Sequence, residues 1–338
     1  MKTYKFLAVA LVATGFFSAC TNEEVVEPIN VKEAAEISFR LQGGTPEVET
    51  RALATTINNI EAFVVYGTDD VLASPALLFN GVTVARQIGT TPPSFTYAPK
   101  VYYSASATDA GFYAFSPVSA KIVGSVTVPT TIRTTGISFV YTVPAPDNTG
   151  AGVAVQEDLL VAGTGGVTPS LTPVSLLFKH ALSRIFVTAT NTTADPVIIN
   201  ELTLKNLFTT GTLSVGPASA LSWTAPTTKN DYAYVLASSG VAVPGGKTKI
   251  YVTSTEQGMM VLPQTIVNAG SAADFALEVK YDFANLTNQT ETISIPNNFK
   301  FEEGKQYTIN INFTGGLIPI EFTITVDPFG TPINEVNP

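Results

Sequence analysis

Apolar and polar residues alternate along most of this chain. Between Glu36 and Gln42, Ile37, Phe39 and Leu41 fall on one side and Ser38, Arg40 and Gln42 on the other. That period of two marks a strand with one buried face. Gly43-Gly44 ends it, and a polar loop follows that carries Arg51. The pattern recurs over Ile60–Gly67, Ala76–Ala85, Gly111–Pro117, Ile137–Pro144 and Asp158–Ala162. Within Ala76–Ala85 the Asn80-Gly81 pair sits between apolar runs and predicts a hairpin turn. Gly163, Gly165 and Gly166, with Pro169 and Pro173 beyond, predict a linker between two domains. A phosphate loop would need a trailing Lys-Ser/Thr, which is absent.

The second half reads in the same way. Val174–Asn191 is a long strand-like run, followed by Val197–Leu207, Phe275–Tyr281 and Gln306–Phe313. The last run, Ile318–Val326, places Ile318, Ile320, Phe322, Ile324 and Val326 on one face, and Pro319 marks it as an edge strand. No stretch carries a long helical period. Short strands broken by frequent turn signals predict an all-β fold of sandwiches. A length of 338 residues allows about two domains, expected here at 36–168 and 169–338.

Composition narrows the picture. Charged residues make up 13% and hydrophobic ones 45%, against roughly 25% charged in an ordinary soluble domain. The net charge is −9, so a nucleic-acid backbone finds no partner. Residues 1–19 read as a signal segment: Lys2 and Lys5 precede an apolar run, Phe6–Phe17, too short to span a bilayer. Ser18-Ala19-Cys20 resembles a bacterial lipobox, in which the thiol of Cys20, the only cysteine, carries the lipid. Removing residues 1–19 would lower the charge from −9 to −11. Residues 20–35 then form a polar tether, and Thr21–Glu24 is similar to the export signal of surface lipoproteins in Bacteroidota.

Catalytic chemistry is thin. His180 is the only histidine, and no nucleophile elbow accompanies it. There is no His/Cys cluster for zinc, and Asp69-Asp70 lacks calcium-loop spacing. No catalytic residue, metal site or cofactor is expected. Trp223, the only tryptophan, suits a core or domain-edge position better than a sugar platform.

Several motifs together resemble the fimbrillin family, the type V pilus subunits of Bacteroidia. They are the lipobox at Cys20, the Glu36–Phe39 strand, the Thr50-Arg51-Ala52 step, Tyr97–Pro117, Gln156–Ala162, Leu176–Ile185, Asn200–Leu213, Met259–Thr265 and Phe301–Ile311. The resemblance implies two transthyretin-like β-sandwich domains and a structural role, as shaft or tip subunit. It implies a lipoprotein of the cell outer membrane that a trypsin-like protease cuts between Arg51 and Ala52. The strand carrying Ile37, Phe39 and Leu41 would then leave. The Ile318–Val326 strand of another fimbrial subunit would fill the slot, so the expected partners are further subunits, the protease and the membrane. The alternative reading is a monomeric surface lipoprotein that binds glycans or host proteins.

Overall fold

A computed structural model describes residues 35–42, 60–72, 76–90, 93–146, 156–224, 229–236, 239–246, 249–253, 258–268, 270, 274–314 and 320–328. All lie within the compact unit Ala34–Pro338. The fold is all-β. A six-stranded antiparallel sheet runs in the order Lys179–His180, Leu160–Val167, Ala110–Ser116, Ala62–Asp69, Phe79–Arg86, Phe95–Thr96. Its strand Ala110–Ser116 is buried at every residue, because both faces of the sheet are covered.

One face carries Phe63, Val65, Phe112, Ala114, Leu160 and Ala162 into a first core, where Ile37, Phe39, Val174, Leu176 and Phe178 meet them. The opposite face carries Val64, Tyr113, Phe115 and Val161 into a second, larger core. A four-stranded sheet covers that side, in the order Leu221–Thr224, Thr210–Val215, Ile137–Thr142, Ile122–Thr127. The second core continues between two five-stranded sheets. One is centred on Ser183–Asn191 and Lys305–Phe313, which run parallel. The other is centred on Val197–Phe208 and Ala276–Phe283, which run antiparallel. Strands from both sides of position 168 share sheets: Thr210–Val215 pairs with Ile137–Thr142, and Lys179–His180 with Leu160 and Val161.

Three local expectations are corrected. Asn80-Gly81 is no hairpin turn. Val65 pairs with Val82 and Tyr66 with Asn80, so Gly81 is an extra residue in the strand. Its φ of +71° marks a β-bulge. The chain reverses earlier, where Asp69 Oδ1 accepts from the amides of Val71 and Leu72 at 3.2 and 3.1 Å.

Gly163–Gly166 is no linker either, for it lies inside the strand Leu160–Val167. Its glycines admit close neighbours. A Cβ at Gly163 would stand 2.3 Å from the carbonyl oxygen of Gly216, and one at Gly165 2.9 Å from that of Arg133. The run Val174–Asn191 is three strands, Val174–Leu176, Lys179–His180 and Ser183–Asn191, each in a different sheet. Its apolar residues divide accordingly, with Phe178 in the first core and Ala181 and Leu182 in the second.

Candidate assembly site

Residues 35–42 run between two other stretches of chain and bond to both. Over the first residues the partner is antiparallel. Ile37 N donates to Val101 O at 3.0 Å and Tyr103 N to Ala35 O at 3.1 Å, with Glu36 opposite Tyr102. Beyond Ser38 the partner is parallel: Phe39, Arg40 and Leu41 oppose Val174, Ser175 and Leu176. Val174 N donates to Ser38 O at 2.7 Å and Gln42 N to Leu176 O at 2.9 Å. The Tyr97 hydroxyl donates to Ile37 O. Burial pushes that hydroxyl above its usual pKa, so it remains a donor at neutral pH. Lys100 and Glu36 form an ion pair on the outside, exposed enough to add little.

The side chains explain the alternation in the sequence. Ile37 and Phe39 are 1% and 4% exposed, while Leu41 is half-buried and Arg40 and Gln42 face solvent. The Phe39 ring enters a nest of aromatic rings. Its centroid lies 6.1 Å from Phe63, 5.3 Å from Phe79, 6.1 Å from Tyr97 and 5.7 Å from Phe112. Taking this segment away would expose two large apolar side chains' worth of core, about 1.5–3 kcal/mol each. It would also strip Tyr103 N, Val174 N and Leu176 O of these partners and leave the Tyr97 hydroxyl and Val101 O only their 3.4 Å contact with each other. Buried polar groups left without partners are costly, so the vacated slot would demand another strand.

The C-terminal strand Ile320–Pro328 lies at the edge of its sheet. It pairs antiparallel with Lys305–Phe313 over nine positions, from Phe313 opposite Ile320 to Lys305 opposite Pro328. Phe322 stands opposite Ile311 and Ile324 opposite Ile309. Ile324 is half-buried against the second core, whereas Val326 is 49% exposed and Thr323 and Thr325 face solvent. In this conformation the strand serves its own chain, with one edge of backbone groups unpaired within the sheet. Cys20, Arg51, Ala52 and Ile318 lie outside the described residues.

Of the remaining candidates, His180 Nδ1 lies 2.8 Å from Asp158 Oδ2. The hydroxyl of Ser183, three residues on, donates instead to Glu302 O at 2.7 Å. Among the described residues no group of three or more His, Cys, Asp or Glu side chains could hold a metal ion. The inserted strand is legible in the sequence, but its walls are not. Tyr97, Val101, Tyr103 and the Val174–Leu176 strand belong to segments far apart in the chain. Only the density of aromatic residues between Phe95 and Tyr103 hinted at them.

Among the described residues the first strand is thus inserted between two other segments and the last lies on a sheet edge. The fimbrillin-like family model matches residues 50–326, and the chain belongs to that family. Its fold is similar to that of a fimbrial protein from Bacteroides vulgatus, with a TM-score of 0.63 at 14% identity, covering 87% of this chain and 99% of that one. It is also similar to a candidate cell adhesion protein from Bacteroides uniformis, with a TM-score of 0.53 at 18% identity, covering 87% and 98%. A third, a candidate cell adhesion protein from Bacteroides ovatus, has a TM-score of 0.51 at 17% identity, covering 88% and 98%. No curated protein matches the chain in sequence.

Proposed function

We propose that this chain is a structural subunit of a fimbria, exported as a lipoprotein through Cys20 and assembled by strand exchange. A trypsin-like protease cuts between Arg51 and Ala52 at the outer membrane. The segment carrying Ile37, Phe39 and Leu41 then leaves, and the strand Ile318–Val326 of the next subunit takes its place. Family membership supports the fimbrial role. The observation that carries the exchange is the segment 35–42 itself. It fills a slot whose other walls, around Tyr97, Val101 and Val174, all belong to the chain downstream of the cut.

The physical logic is strand addition. The incoming strand offers five apolar residues on one face, against three on the outgoing one, and it gives up its nine-position pairing with Lys305–Phe313 to be donated. Each contact is head to tail and does not close on itself, which makes a filament rather than a ring.

The experiment is limited trypsin treatment of the full chain beside Arg51→Ala. The unchanged chain is expected to form ladders on a denaturing gel run without heating. The variant is expected to keep its N-terminal segment, read by mass spectrometry, and to remain monomeric. Ladders from Arg51→Ala would overturn the exchange mechanism.

A further inference from the structure

The segment that fills the first-strand slot and the C-terminal strand carry the same pattern. Ile37-Ser38-Phe39-Arg40-Leu41 and Ile320-Glu321-Phe322-Thr323-Ile324 both run isoleucine, polar, phenylalanine, polar, aliphatic. We propose that the two are interchangeable residue for residue. The slot of this chain then takes the tail of a second copy of the same chain, with Phe322 where Phe39 stands. The inference rests on the strand exchange proposed above and adds a partner, a direction and a register. A chain whose tail fits its own slot propagates a homopolymer, so it is a shaft subunit rather than a tip.

The lining of the slot selects the register. Ile37 and Phe39 are buried and Leu41 is half-buried, and the Phe39 ring packs against Phe63, Phe79, Tyr97 and Phe112. Phe322 is the only aromatic residue between Ile318 and Val326. Aligning it with Phe39 sets Ile320 at Ile37 and Ile324 at Leu41, so side-chain volume is conserved at each place. A shift of two residues would set isoleucine among the rings and phenylalanine at an aliphatic position, losing the aromatic pairs. A shift of one would turn the whole apolar face to solvent.

The backbone selects the direction. Ile–x–Phe–x–Ile reads alike both ways, so side chains alone do not decide it. Pro319 does, because proline has no N–H to donate. With the tail running as residues 35–42 run, Pro319 falls at Glu36. There the bonds to Val101 and Tyr103 come from Ile37 N and Ala35 O on either side, and not from Glu36 itself. The donors needed at positions 37 and 42 become Ile320 N and Thr325 N, and both exist. With the tail reversed about Phe322, Pro319 falls at Gln42, whose amide donates to Leu176 O at 2.9 Å. That bond would be lost and a carbonyl left unpaired.

The register is read by disulfide formation between subunits. Cutting after Arg51 removes Cys20, the only native cysteine, so introduced thiols report alone. Arg40 stands opposite Ser175, which puts Thr323 of the incoming strand there, whereas in its own sheet Thr323 stands opposite Asn310. The full chain carrying Ser175→Cys and Thr323→Cys is cut by trypsin under reducing conditions and then oxidised. It is expected to give a ladder that survives boiling in detergent and collapses with reductant. Ser175→Cys with Thr325→Cys sets the thiols two residues out of step, beyond the reach of a disulfide, and is expected to give no such ladder. Thr323 and Thr325 face solvent, so neither change disturbs a core. A covalent ladder from the Thr325 pair instead, or from neither pair while heat-sensitive ladders form, overturns the register. If mass spectrometry shows that the N-terminal segment leaves but the unaltered chain forms no ladder, the second copy is the wrong partner and strand exchange stands. If the cut segment stays bound, strand exchange itself fails and takes this inference with it.

Discussion

The rings of Phe39 and Phe79 meet edge to face, with 5.3 Å between centroids. One ring belongs to the first described strand and the other to the six-stranded sheet, so the pair measures how firmly that strand is held. Such aromatic pairs add about 0.5–1.5 kcal/mol beyond area burial, and Phe39 touches three further rings. Phe39→Ala is expected to cost about 3–5 kcal/mol in urea unfolding. The amides of Tyr103 and Val174, which bond to Ala35 and Ser38, are expected to exchange faster with deuterium. A loss below about 1 kcal/mol would mean that the core closes without this strand.

Gly163 tests how tightly the turn at Gly216 presses on the six-stranded sheet. An added Cβ would lie 2.3 Å from the Gly216 carbonyl oxygen and 2.8 Å from the Tyr113 ring. The nearer neighbour is backbone and cannot rotate aside. Gly163→Ala is expected to destabilise by about 1–3 kcal/mol, read as a lower urea midpoint. Gly124→Ala is a useful contrast. Nothing lies within 4 Å of its Cβ position, so its cost comes only from a φ of +78°.

Asp70 gives the pH dependence a sign. Its carboxylate accepts from the Thr108 amide at 2.9 Å and the Thr108 hydroxyl at 2.5 Å. These bonds, the hydroxyl's first, lower its pKa from 3.8 to about 2. Because the folded value lies below the unfolded one, the stabilisation is present above pH 3.8 and is lost as pH falls toward 2. Thr108→Val removes the hydroxyl but keeps the amide. The Asp70 pKa is expected to rise part of the way to 3.8 in a carbon-detected NMR titration, and stability should depend less on pH across that window. An unmoved pKa would assign the shift to the backbone amide alone.

The sequence disclosed some of this and hid the rest for identifiable reasons. Strand periodicity at Ile37–Leu41 was legible because one side of the segment is buried and the other is wet. The all-β class was legible from strands repeated without helical period. Asn80-Gly81 was misread because a positive φ serves a bulge as well as a turn, and the pairing partner decides which. Gly163–Gly166 was misread because glycine also marks a place where other backbone comes close, and that neighbour is more than fifty residues away at Gly216. Val174–Asn191 looked continuous because both cores want the same apolar residues, and nothing local says where the chain changes sheets. Trp223, expected in the core or at a domain edge, lies half-buried on the outermost strand of the four-stranded sheet, a place only the pairing of strands defines.

The pairing of Thr210–Val215 with Ile137–Thr142 sets a timetable. A chain made N-terminus first completes most of the six-stranded sheet early, with Ile122–Thr127 and Ile137–Thr142 over one part of its inner face. It cannot lay the other two strands of the covering sheet beside them until Thr224 has been made. The early half therefore waits with that apolar face partly bare, and a late hairpin seals it. Contacts this distant in the chain slow closure, so the order in which the strands are made decides when this core can shut.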